Sequence, residues 1–165
     1  MLKLFRDTGL RWLWLAGVVL LCDQLTKIWV LEGMALYQSI PVMPYFNLTH
    51  VHNYGAAFSF LSNAGGWQRW FFTAIALTVS VLILFWLRQS KKEQVLLPCA
   101  FSLILGGALG NLYDRLAYGY VVDFLDFYVG EWHWPAFNLA DSAIFVGAAL
   151  LIIDAFRNNG VKTDD

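Results

Sequence analysis

Asp123, in the run VVDF, and Asp141, in the run FNLAD, stand eighteen residues apart on either side of the point where a polar stretch re-enters a long apolar segment. A carboxylate at membrane depth is costly, and it survives with a partner and a role. Two carboxyls held close in low dielectric resist double ionisation, so they share one proton and titrate as a pair. One can then activate water while its protonated partner hydrogen-bonds a scissile carbonyl oxygen, which hydrolyses a peptide bond without a metal. A saccharide cleaved by two acids is a poorer fit, because such a site does not belong in an acyl-chain environment.

Several other acids compete for these roles. Asp126 lies in the same stretch as Asp123, and spacing alone does not decide which of them meets Asp141. Val121, Val122 and Phe124 would carry Asp123 into apolar surroundings, whereas Asp126 is expected to be solvated. Asp23 and Lys27 are spaced i, i+4 and are expected to pair on one helix face, in a structural role. Asn111, Asp114 and Arg115 share a face at i, i+3 and i+4. An interfacial arginine either snorkels or, being alone in its loop, holds a carboxylate or a substrate carbonyl. Asn138 shares a face with Asp141 and Ser142, and Asp154 falls near the far end of that helix, roughly 20 Å away at 1.5 Å per residue.

The elements that must position these residues follow from composition. Of the 165 residues 59% are hydrophobic and 14% charged, with a mean hydropathy of +0.55, which marks an integral membrane protein. The expectation is a single membrane domain, an all-α four-helix bundle with spans near 10–31, 67–87, 95–113 and 137–156, each about one bilayer thick. Lys3, Arg6 and Arg11, then Arg88, Lys91 and Lys92, then Arg157 and Lys162 gather at one set of ends. By the positive-inside rule both termini are cytoplasmic and the loops 32–66 and 114–136 are external. Tryptophans at both expected interfaces agree. The first span resembles a secretory leader but is too long and has no small-residue cleavage site after it.

In the first outer loop, Tyr45 to Val51 has the aromatic and β-branched character of a strand. A small sheet on the membrane is expected there, with a turn at Asn53, Tyr54 and Gly55 and a short amphipathic helix after it. A net charge of -1 without a basic stripe excludes a nucleic-acid partner. His50 and His52 share a strand face but have no third ligand at metal spacing. Cys22 and Cys99 sit in separate helices and read as small apolar residues.

The runs DQLTK (Asp23 to Lys27), NYGAAF (Asn53 to Phe58), GGALGNLYDR (Gly106 to Arg115), VVDF and FNLAD resemble, in order and over nearly the whole chain, the signature blocks of lipoprotein signal peptidase. The resemblance implies an aspartic endopeptidase of the bacterial cytoplasmic membrane. It would remove the signal peptide of a prolipoprotein just before a diacylglyceryl-modified cysteine. It implies Asp123 and Asp141 as the catalytic pair, Asn53, Asn111, Arg115 and Asn138 as residues that line the site, and Asp23 and Asp114 as polar supports. No metal or organic cofactor is implied. The expected partners are diacylglyceryl-modified prolipoproteins and membrane lipids, met at the extracytoplasmic face. A monomer is expected, although small-residue faces pack within one bundle as readily as between two.

Two rival readings make different demands. A proton-coupled transporter spreads its acids through the membrane depth and is often built of interrupted helices. A noncatalytic scaffold for membrane peptides would tolerate loss of either aspartate.

Overall fold

The computed structural model describes residues 2–55 and 65–159. A short helix α1 (Leu2–Asp7) and a 3-10 turn (Gly9–Trp12) lead into α2 (Leu13–Gly33). Strands β1 (Ser39–Met43) and β2 (Phe46–Asn53) follow, then α3 (Trp67–Gln89), α4 (Leu96–Ala117), β3 (Val121–Val129), β4 (Trp132–His133) and α5 (Leu139–Asn159). Four helical stretches, Gly9–Gly33, Trp67–Gln89, Leu96–Ala117 and Leu139–Arg157, are long and apolar enough to cross a membrane. Pro98 sits in the first turn of α4, where a missing N–H leaves no helical bond unmade.

Helix α4 is the enclosed member of the bundle, with Ala100, Phe101, Leu105, Ala108 and Leu112 buried. Its partners turn large apolar side chains outward, among them Leu21, Leu25, Val81, Phe85, Phe145 and Ile152, as lipid-facing surfaces do. Close approach depends on missing side chains. A Cβ at Gly107 would collide with the Ala140 carbonyl of α5, and one at Gly110 with the Asp23 carboxylate of α2.

One end of the bundle gathers the N-terminal turn and the α3–α4 connection. Gly9 donates its N–H to Ser90 O at 3.1 Å and Arg11 reaches Lys92 O at 2.6 Å. Asp154 and Arg157 line a cavity with Gln94 to Leu97 at this same end. The other end carries an antiparallel sheet in the order β1-β2-β3-β4. A cluster of Val30, Met34, Val122 and Phe124 packs the end of α2 against β3 and so seats the sheet on the bundle.

Three expectations need correction. The fold is not all-α, because four strands pair into one sheet. The stretch 114–136 is not a loop: α4 runs on through Asp114 and Arg115 to Ala117, and Val121–Val129 forms the longest strand. Acids at 123 and 126 break the apolar alternation of that strand, which hides it from pattern reading. Strand β1 was also missed, since Pro41 demotes its run; the strand lies on the sheet edge, where a missing N–H costs nothing. The expected amphipathic helix after Gly55 lies outside the described residues.

Candidate active site

Asn138 and Asp141 form a reciprocal cap at the start of α5. The Asp141 N–H donates to Asn138 Oδ1 at 2.9 Å, and the Asn138 N–H donates to Asp141 Oδ2 at 3.3 Å. This is a capping box with a short acid at the third helical position. It satisfies two backbone donors that the helix leaves unpaired, and it fixes the carboxylate at the sheet end of the bundle.

Asp123 arrives from β3, opposite Val51 of β2. Its Oδ1 accepts from Asn138 Nδ2 at 2.7 Å and its Oδ2 from Asn53 Nδ2 at 2.9 Å. Asn138 therefore touches both acids. Asp141 Oδ1 also accepts from Asn111 Nδ2 of α4 at 2.7 Å. Among the described residues neither acid has an ion pair. Burial pushes the Asp123 carboxyl up to about 7, and the charge of Asp141 pushes the same way against the donated amides and the more distant Lys27.

A second group of acids lies behind these. Lys27 Nζ is 2.8 Å from Asp23 Oδ2 and 2.9 Å from Asp114 Oδ2, with all three side chains buried. The i, i+4 pair expected from the sequence is present, and the ammonium also donates to Asn111 Oδ1 at 3.0 Å. That contact settles the Asn111 amide, because an ammonium needs the oxygen and so turns Nδ2 toward Asp141. Asp23 Oδ1 accepts the Ala140 N–H of α5 at 2.9 Å, and Asp114 accepts from Val122 N–H at 3.1 Å and Gln24 Nε2 at 2.9 Å. Asp23 and Asp114 thus tie α2 and α4 to the two elements that carry the paired acids.

Arg115 does not snorkel. Its guanidinium donates to Asn111 O at 3.2 Å and to Gly55 O at 3.1 Å, and lies 5.4 Å from the Phe72 ring centroid. It fastens the end of β2, next to Asn53, onto α4.

A groove of about 680 Å³ opens beside the acids, lined by Asn53, Trp134, Phe137, Asp141, Ser142 and Phe145 among others. Phe145 is 76% exposed on the outward face of α5. The groove is thus apolar along the helix and polar where it meets Asp141. Such a cleft has room for an apolar chain along α5, and Asp141 is the acid that lines it.

The chain matches the family model described as Signal peptidase (SPase) II over residues 15–157. The chain belongs to the signal peptidase II family. It is 67% identical to a lipoprotein signal peptidase of Alteromonas mediterranea, covering 100% of this chain and 91% of that protein. It is 60% identical to one of Pseudoalteromonas atlantica, covering 96% of each. A bacterial membrane enzyme solved by the in meso method at 2.3 Å resolution superposes with a TM-score of 0.84 at 30% identity, covering 94% of this chain and 93% of that one. The chain is accordingly a peptidase with four membrane-crossing helices, as the resemblance implied.

Within this signal peptidase II chain, the structure gathers Asp123, Asp141, Asn53, Asn111 and Asn138 at one site, with Asp23, Asp114 and Arg115 behind it. Sequence reading passed over Lys27 and Gln24 as site neighbours. Their signal was present: a lysine and a glutamine deep in an apolar span need partners on another helix. Asp126 is a correction. Expected in solvent, it is only 6% exposed and accepts from Asn47 Nδ2 at 2.9 Å and His133 Nδ1 at 2.8 Å, because the β2–β3 register sets Asn47 directly opposite it. His50 and His52 face each other at 3.1 Å between Nε2 atoms, with His50 Nδ1 donating to Met34 O. Among the described residues no three metal-type side chains cluster. Cys22 is exposed on the bundle surface and Cys99 half-buried, each a free thiol.

Proposed function

We propose that the chain is an aspartic endopeptidase that cuts bacterial prolipoproteins before a diacylglyceryl-modified cysteine, with Asp123 and Asp141 as its catalytic pair. The observation that carries this reading is the double contact of Asn138, which donates to both carboxyls at the mouth of the apolar groove. Two acids bridged by amides, Asp123 buried and Asp141 half-buried, without an ion pair, keep the single shared proton that the reaction needs. Asp123, raised to about 7, retains that proton and hydrogen-bonds the scissile carbonyl. Asp141 takes a proton from water, and the resulting hydroxide adds to the carbonyl carbon. The tetrahedral intermediate then collapses as the leaving amine is protonated by the pair.

The substrate class rests on the family relationship, and the apolar groove suits it. A signal peptide is an apolar helix that enters sideways from lipid along α5, and the acyl chains of its cysteine stay in the bilayer. The sheet offers main-chain pairing to the extended stretch around the cut. Cations gathered at the opposite end of the bundle support cytoplasmic termini, with the sheet and the site on the extracytoplasmic face of the inner membrane. The whole chain acts as one membrane domain, a monomer surrounded by lipid.

The test is cleavage of a diacylglyceryl-modified prolipoprotein in detergent by wild type, Asp123→Asn and Asp141→Asn. Wild type alone should cut. Undiminished cutting by either folded variant would remove that residue from the mechanism, as the scaffold reading requires.

A further inference from the structure

The pair Asp126 and His133 is not used by the reaction, yet it sits beside the groove in a specific arrangement. The Asp126 carboxylate spans three strands on one face of the sheet. Asn47 of β2 donates to its Oδ2, and His133 of β4 reaches Oδ1 at 2.8 Å and Oδ2 at 3.0 Å. His133 also stacks on Tyr128, its register partner, with ring centroids 5.2 Å apart.

The next residues along the chain from His133 are Trp134 to Phe137, and these form the groove wall that faces α5. That wall runs beside the edge of β3. It is fastened there at its two ends: Trp134 N–H donates to Phe127 O at 2.8 Å, and Phe137 donates to Leu125 O at 3.1 Å while its own carbonyl accepts from Phe124 N–H at 3.0 Å and Leu125 N–H at 2.8 Å. Asp126 lies between Leu125 and Phe127. Pro135 has no N–H, so the span between the fastenings cannot pair fully with the strand. The hairpin between β3 and β4 is short, and β4 has only two residues. A hairpin that small is not rigid by itself, and the carboxylate contact supplies what its backbone pairing lacks.

We propose that Asp126 and His133 are positioning residues that hold the Trp134–Phe137 wall against the bound substrate and so set affinity without touching the reacting bond. This rests on the groove being the substrate site. A charge-assisted contact that orders a wall before binding lowers the ordering cost of binding itself. The effect belongs in KM, because Asn138 and Asp141 are held by their own reciprocal cap and not by this clasp.

His133 is half exposed, so its replacement need not disturb the core. His133→Phe keeps the ring on Tyr128 and removes the donor. His133→Asn restores a donor close to the position of Nδ1. With a diacylglyceryl-modified prolipoprotein, His133→Phe should raise KM about five- to tenfold, the size expected for one lost hydrogen bond of ordinary net strength, with kcat within about twofold. His133→Asn should return KM toward wild type. Hydrogen exchange at the Phe137 amide should quicken in His133→Phe and recover in His133→Asn. An unchanged KM with unchanged Phe137 exchange would overturn the clasp, and so would equal impairment by both variants or a loss confined to kcat. If wild type itself fails to cut, the proposed function fails, and Phe137 exchange still decides the clasp.

Discussion

Asp23 and Asp114 share the buried ammonium of Lys27, at 2.8 and 2.9 Å, whereas Asp123 and Asp141, a few residues away in space, meet amide donors. Both groups lie at the sheet end of the bundle, all of their acids buried except the half-buried Asp141. The first is a knot, two carboxyls around one ammonium, that binds three helices and a strand. Such a knot contributes to stability only while complete, since removing one partner strands a charge in low dielectric. The second meets amide donors and has no ion pair among the described residues, which suits the proposed sharing of one proton. Burial alone therefore does not separate the two groups; the kind of donor around each acid does. Asn111 connects the two, accepting from Lys27 through Oδ1 and donating to Asp141 through Nδ2.

The sharpest way to break this contrast is by charge removal. Asp123→Asn or Asp141→Asn should lower the cleavage rate by roughly 10²–10⁴-fold, the range of lost acid–base assistance, while the thermal midpoint in detergent stays level or rises. Lys27→Met should do the reverse in kind, costing about 3–5 kcal/mol of stability by stranding Asp23 and Asp114, read by thermal or denaturant unfolding. If Lys27→Met left stability intact, the knot would not be a structural device. Gly110→Ala tests the same knot sterically. The added methyl would press on the Asp23 carboxylate, and a loss of about 1–3 kcal/mol is expected from overpacking.

Acidity gives a further, graded test. On the proposed mechanism the pair is active with one proton, so the rate should rise as the first carboxyl ionises on the acid side. It should fall as Asp123 loses its proton near pH 7, by about tenfold per pH unit at most beyond that point. Because the folded-state value of Asp123 is raised, deprotonating it also costs stability between the ordinary carboxylate range and about 7. A flat profile, with chemistry shown to limit turnover, would contradict a shared proton. Cys22→Ala, on the lipid-facing surface, is the smallest effect, within about 0.5 kcal/mol in stability.

Much of this contrast was legible in the sequence, for physical reasons. Four apolar runs announce four spans, since no other element tolerates them. The i, i+4 spacing of Asp23 and Lys27 and the i, i+3 spacing of Asn138 and Asp141 are local, and local spacing survives folding. What was not legible depends on distant pairing. Asp126 reads as solvated until Asn47, 79 residues away, is placed opposite it by the β2–β3 register. Lys27 reads as the partner of Asp23 alone until α4 brings Asp114 and Asn111 beside it. Arg115 shares a helical face with Asn111 and Asp114, but its contact with Gly55 O, 60 residues away, is set by the fold and not by that spacing.

The central claim, that the Asp123–Asp141 pair shares one proton, is tested most directly by infrared spectroscopy of the detergent-solubilised protein. A protonated-carboxyl band should be present at pH 6, fade as pH rises through about 7, and be absent or displaced in Asp123→Asn. A spectrum without any protonated carboxyl at pH 6, or a band that persists unchanged in both Asp123→Asn and Asp141→Asn, would contradict it.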